Sequence, residues 1–123
     1  MERVFTDKAP KAVGAYSQAI KSGGFVFTSG QLAVNENGAV EGDIKEQTER
    51  VLKNLAEILK EAGSDLRYVV KTTCYLADIN DFSAFNEVYA AFFPDKPART
   101  LVQAANLPKN ARLELDAIAE IKE

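Results

Sequence analysis

Arg112-Leu113-Glu114-Leu115-Asp116-Ala117-Ile118-Ala119 alternates apolar and polar residues, the repeat of a strand with one buried face. Leu113, Leu115, Ala117, Ala119 and Ile121 form a clean apolar face, and Glu114 and Asp116 point the other way beside Ile118. Upstream, Pro97-Ala98-Arg99-Thr100-Leu101-Val102-Gln103 is a second short strand, joined to the first through Asn106-Leu107-Pro108-Lys109-Asn110. Its alternation sets Arg99, Leu101 and Gln103 on one face and Thr100 and Val102 on the other. A lone charge at the mouth of a short apolar strand is out of place. If the two strands pair, Arg99 and Glu114 can share a face.

Working outward, Ala19-Ile20-Lys21-Ser22-Gly23-Gly24-Phe25-Val26-Phe27 reads as two strands joined by a Ser-Gly-Gly turn that permits positive φ. The second runs on through Thr28-Ser29-Gly30-Gln31-Leu32-Ala33-Val34, where an interior Gly30 marks a bulge or a close backbone approach to a ligand. Asn35-Glu36-Asn37-Gly38 turns the chain. Asp43 with Glu46 forms a capping box ahead of a helix whose buried face is Ile44, Val51, Leu52, Leu55, Ile58, Leu59 and Ala62, ended by Gly63. Tyr68-Val69-Val70-Lys71-Thr72-Thr73-Cys74-Tyr75-Leu76 is β-branched and aromatic, hence a strand. Asp81 caps a second helix carrying Phe82, Phe85, Val88, Tyr89 and Phe92, whose four aromatics read as core, and Pro94 ends it.

The order is β-β-β-α-β-α-β-β in one domain spanning residues 1–123. Two helices striped on one side suit an α+β fold: a single mixed six-stranded sheet with two helices on one face. The other face then needs a partner, and in a chain this small a second copy of itself is the natural one.

Composition restricts the chemistry. The chain is 46% hydrophobic and 27% charged, with no histidine, one cysteine and a net charge of −3. The acidic balance argues against nucleic acid as a ligand, because phosphate neutralisation drives such binding. No run is long and apolar enough to span a bilayer, and the first residues lack the apolar core of a signal peptide. A cytoplasmic location away from membranes is the expectation. Cys74, in a strand and with no histidine to activate it, reads as a buried structural thiol. Asp78-Ile79-Asn80-Asp81 lacks the glycine and closing glutamate of a calcium loop and reads as helix capping. Neither a metal-ligand cluster nor a nucleotide fingerprint is present.

Any chemistry must therefore come from arginine, carboxylates, hydroxyls, backbone groups and water. A guanidinium fork suits a carboxylate, and a nearby carboxylate can orient or deprotonate water. On spacing alone, an Arg and a Glu on neighbouring strands form a structural ion pair more often than a site.

A set of motifs in order along nearly the whole chain adds to this. Gly14-Ala15-Tyr16-Ser17-Gln18-Ala19, Thr28-Ser29-Gly30-Gln31, Val70-Lys71-Thr72-Thr73, Asn86-Glu87-Val88-Tyr89, Pro97-Ala98-Arg99, Leu107-Pro108-Lys109 and Leu113 to Ala119 resemble the RidA/YjgF family. The resemblance implies a chorismate-mutase-like architecture and a homotrimer with sites between subunits. It also implies cofactor-independent hydrolysis of imino and enamino acids, such as 2-aminoacrylate and 2-iminobutanoate, to 2-oxo acids and ammonia. By position, Arg99 matches the arginine that clamps the substrate carboxylate, and Glu114 the acid that positions the attacking water. Tyr16, Ser29 and Gly30 match pocket residues presented by a neighbouring subunit, and Asn86 matches a further pocket residue. The chain departs from the pattern at Leu101, where many members carry cysteine, and at Ala15, where proline is usual. Leu101 removes a thiol from the pocket wall and adds bulk there. The alternatives are an endoribonuclease or translation inhibitor, reported for some relatives, and a non-catalytic module that binds small carboxylates.

Overall fold

The alternating strand from Leu113 to Glu120 lies inside the sheet. The computed structural model describes residues 1–122. Its strands are β1 (Glu2–Val4), β2 (Ala19–Ser22), β3 (Phe25–Thr28), β4 (Val69–Leu76), β5 (Ala98–Gln103) and β6 (Leu113–Glu120). Two helices, α1 (Ile44–Glu61) and α2 (Phe82–Phe92), interrupt them. The strands form one six-stranded sheet in the order β1-β2-β3-β6-β4-β5. Only β4 and β5 run parallel, as the helical crossover through α2 requires. The element order and the mixed sheet are those expected from the sequence. β1 is the strand that no local alternation marks.

Local chemistry explains the elements. Gly23 and Gly24, at φ 61° and 85°, make a two-residue turn between the paired Ser22 and Phe25. The Asp43 side chain accepts from the Glu46 N–H, and the Glu46 side chain accepts from the Asp43 N–H, closing the capping box. At the other end of α1, Gly63 takes φ 85°, and the N–H groups of Gly63 and Ser64 donate to Lys60 and Leu59, a Schellman stop. Asp81 occupies the N-cap position just before α2, but its side chain makes no capping bond. Its carboxylate accepts from Arg112 instead, and Asp78 caps the short turn ahead of it.

Val51, Leu52, Leu55, Ile58 and Leu59 of α1 are fully buried against Val26 of β3, Cys74 and Leu76 of β4, and Leu113, Leu115, Ala117 and Ala119 of β6. Each such large side chain contributes ~1.5–3 kcal/mol of burial. α2 adds Phe85 and Tyr89 to the same side, with Phe92 partly buried. Phe82 is 38% exposed rather than core. The opposite face is uncovered, with Phe27 and Val102 each 43% exposed on it.

Two sequence expectations need correction. β3 stops at Thr28 instead of running to Val34; beyond it only isolated bridges remain, Gln31 with Leu115 and Val34 with Val40. Nor do the strands bearing Arg99 and Glu114 pair. β4 lies between them, because the crossover through α2 sets β5 on the outer edge of β4 while β6 takes the inner edge.

Candidate active site

Register decides where each candidate side chain goes. Arg99 is opposite Thr72, which is fully buried on the helix side of β4. Glu114 is opposite Tyr75, three residues on and hence on the other face. Within one chain Arg99 and Glu114 therefore sit on opposite faces of the sheet, and the expected shared face is not realised. The candidates divide into two groups.

The first group surrounds Glu114. Phe27 pairs with Ile118, yet the next contact joins Gln31 to Leu115, so the segment running on from β3 holds one residue more than β6 between them. That is a β-bulge. Inside it the Ala117 N–H donates to Thr28 Oγ1 at 3.0 Å in place of a ladder bond. Ser29 turns toward the neighbouring segment: its N–H donates to Gln18 O at 2.9 Å and its hydroxyl to Ser17 O at 2.5 Å. Gly30 lies against the Glu114 carboxyl. A Cβ there would strike Oε2 and sit 2.8 Å from Cδ, so only glycine leaves Glu114 where it is.

Tyr16, Ser29, Gly30 and Glu114 line one groove of about 880 Å³ on the open side, together with Pro108 and Lys109. Tyr16 is 51% exposed, and its hydroxyl accepts from the Val13 N–H at 3.3 Å. The far wall, residues 10–13, is held by Gln18. Its buried amide accepts from the Thr6 N–H at 2.7 Å and donates to Pro10 O at 2.9 Å. From α1, Asn54 donates to Val34 O at 3.1 Å and fixes another part of the groove. Nothing in the sequence pattern marks Gln18 or Asn54 for these roles, because an amide that braces a loop leaves no periodic signal.

Glu114 is partly buried, and that burial raises its pKa, with the neighbouring Asp116 carboxylate raising it further. Asp116 is raised by its own burial, against the opposing effect of Lys71. Both shifts hold the proton more tightly than an exposed carboxylate does.

The second group surrounds Arg99, at the sheet edge beneath α2. Arg99 Nη1 donates to Asn86 Oδ1 at 2.7 Å. The guanidinium carbon is 4.8 Å from the Tyr89 ring centroid and 5.6 Å from that of Phe82. Arg99 forms no ion pair among the described residues. This removes the structural ion pair as the explanation of the misplaced charge. Asn86 holds the arginine. Leu101, two residues on, faces the same side opposite Cys74 and packs on the core. Cys74 is fully buried, and burial pushes its thiol up to about 11, which leaves it protonated and unreactive at neutral pH.

Among the described residues no three His, Cys, Asp or Glu side chains gather as a metal site, and no helix is long and apolar enough to cross a membrane.

Residues 6–121 match the family model described as Endoribonuclease L-PSP. A RutC family protein of Pyrococcus abyssi is 54% identical over 121 residues, covering 96% of this chain and 95% of that protein. The solved structure of RidA from an Antarctic Psychrobacter bacterium superposes with a TM-score of 0.95 at 42% identity, covering 98% of this chain and all of that one. The chain belongs to the RidA/YjgF family. A further RidA/YjgF relative, 48% identical over 119 residues, is the 2-iminobutanoate/2-iminopropanoate deaminase of Rattus norvegicus; the match covers 94% of this chain and 87% of that protein. Names within the family thus span RutC, endoribonuclease and deaminase.

Proposed function

We propose that this chain hydrolyses 2-imino and 2-enamino acids, of the 2-aminoacrylate and 2-iminobutanoate class, to 2-oxo acids and ammonia. The site is completed between copies of a homotrimer: one copy supplies Arg99, Asn86 and Leu101, and its neighbour supplies the groove of Tyr16, Ser29, Gly30 and Glu114. The observation that carries this reading is Arg99 itself, a partly buried guanidinium held by one amide and two rings, its remaining N–H groups unpaired among the described residues. Such a group is a ready carboxylate receptor. The uncovered sheet face, with its exposed Phe27 and Val102 and partly buried carboxylates, supports assembly.

The chemistry follows from the groups available. A protonated imine carbon is already electrophilic, so holding the acid and aiming a water supplies most of what catalysis needs. Glu114 takes a proton from that water as oxygen bonds to the imine carbon. The resulting amino alcohol takes that proton back from Glu114 onto nitrogen, its C–N bond breaks, and ammonia leaves as the carbonyl forms, the hydroxyl proton passing to Glu114 and on to the departing ammonia as ammonium. Arg99 holds the carboxylate throughout. A raised pKa suits Glu114 to this exchange, because it brings the group nearer to neutral pH. No step calls on a cofactor.

The test generates the imine in place from serine or threonine with a pyridoxal-dependent dehydratase and follows 2-oxo acid release with and without this protein. Arg99→Ala should lower kcat/KM by about 10- to 150-fold, the effect of losing hydrogen bonds to a charged group. No acceleration by the wild type with either imine overturns the reading.

RNA cleavage is the competing function, favoured by the description of the matching family model. The groove opposes it, since Lys11 and Lys109 are offset there by Glu36 and Glu114 and the chain carries net charge −3. RNA cleavage that Glu114→Ala abolishes would favour that function instead.

A further inference from the structure

We infer that Tyr89 is a positioning residue for Arg99: its ring, tethered to the neighbouring strand, sets the plane in which the guanidinium meets a carboxylate. Phe82, Asn86 and Tyr89 follow one another at helical spacings of four and three, so one stripe of α2 presents a ring, an amide and a ring in successive turns. All three reach Arg99, at 5.6 Å, 2.7 Å and 4.8 Å respectively.

Tyr89 is the anchored member. Its hydroxyl shares a buried 2.7 Å hydrogen bond with Thr72 Oγ1, and Thr72 is the register partner of Arg99 across β4 and β5. The connection closes on itself, from Arg99 to the Tyr89 ring, through the phenol to Thr72, and back across one strand pair. Phe85 and Phe93 pack against the Tyr89 ring at 5.4 Å and 4.7 Å between centroids and hold it from the sides.

The use of a ring in place of an acid has a chemical consequence. A carboxylate neighbour would orient Arg99 by consuming its N–H groups and its charge. An aromatic face attracts the cation through its quadrupole and leaves the N–H edge open. Asn86 takes one N–H. The remaining edge is then fixed in direction and free to meet both oxygens of a planar carboxylate.

The identity of the ligand rests on the deaminase reading; the mount does not. Two measurements on the whole protein separate them. Side-chain NMR of the Arg99 Nε–H, assigned with Arg99→Lys, should show an aromatic ring-current shift that Tyr89→Leu reduces to the part due to Phe82 and that Tyr89→Phe, which keeps the ring but loses the Thr72 tether, retains only in part. Titration with 2-oxobutanoate should give a Kd about tenfold weaker in Tyr89→Leu. In turnover the same variant should raise KM while kcat holds within about twofold. Because Tyr89→Leu opens a gap in the core, 3,5-difluorotyrosine at position 89 is the companion: read at a pH low enough to keep its more acidic phenol protonated, it drains charge from the ring at nearly constant shape and should weaken Kd about threefold.

An Arg99 signal indifferent to Tyr89→Leu overturns the inference, as does a fluorinated protein that binds as tightly as wild type. If wild type binds no 2-oxobutanoate yet the Arg99 signal moves on Tyr89→Leu, the mount stands and the deaminase reading fails.

Discussion

Arg99 and Glu114 are two charged groups built in opposite ways. Arg99 stands on an edge strand under a helix, and aromatic rings and an amide fix it without neutralising it. Glu114 stands on an interior strand beside a bulge, against a bare glycine backbone, where burial and a like charge make its ionised form costly. In the function proposed above, the first arrangement preserves a cation for an anionic ligand, and the second tunes a carboxylate toward proton exchange.

The sharpest way to break this division is Glu114→Gln. Removing a proton acceptor should lower kcat by about 10²–10⁴-fold, while the Kd for 2-oxobutanoate, measured by calorimetry, stays within about threefold of wild type. A large loss of binding instead would put Glu114 with the carboxylate clamp. Gly30→Ala comes next. The added Cβ displaces the Glu114 carboxyl, and kinetics should show kcat reduced about 100-fold, the effect of a misplacement near 1 Å. Unchanged turnover would mean that Glu114 has no fixed station.

Asp116→Asn should have the smallest effect. The Asp116 carboxylate raises the pKa of Glu114, so a neutral amide lowers it, and Glu114 stays ionised to lower pH. The acidic limb of the kcat/KM profile should then move down by less than about one pH unit. Movement in the other direction would contradict the assigned cause.

Local chemistry was readable in the sequence, and the meeting of distant elements was not. The Asp43 capping box, the Gly63 stop, the Gly23-Gly24 turn and the alternation of Leu113 to Ala119 each state their geometry within a few residues. The placement of β4 between β5 and β6 is written in no periodicity, so the face shared by Arg99 and Glu114 was misjudged. An interior glycine such as Gly30 signals a bulge or a close approach without saying to what, and here the bulge seats a side chain of this same chain. The hydrogen bond from Arg99 to Asn86 joins two elements that no local pattern brings together. An aromatic on a helical stripe reads as core, but Phe82 lies beside a cation and is partly exposed.

In the proposed assembly, two half-sites of one sequence complete each other only across copies. Arg99→Ala and Glu114→Gln, each inactive alone, test it when unfolded together and reassembled as mixed oligomers. Random mixing should pair an intact Arg99 with an intact Glu114 at about one quarter of the interfaces and restore about that fraction of wild-type activity. A mixture as inactive as its two components would contradict the claim.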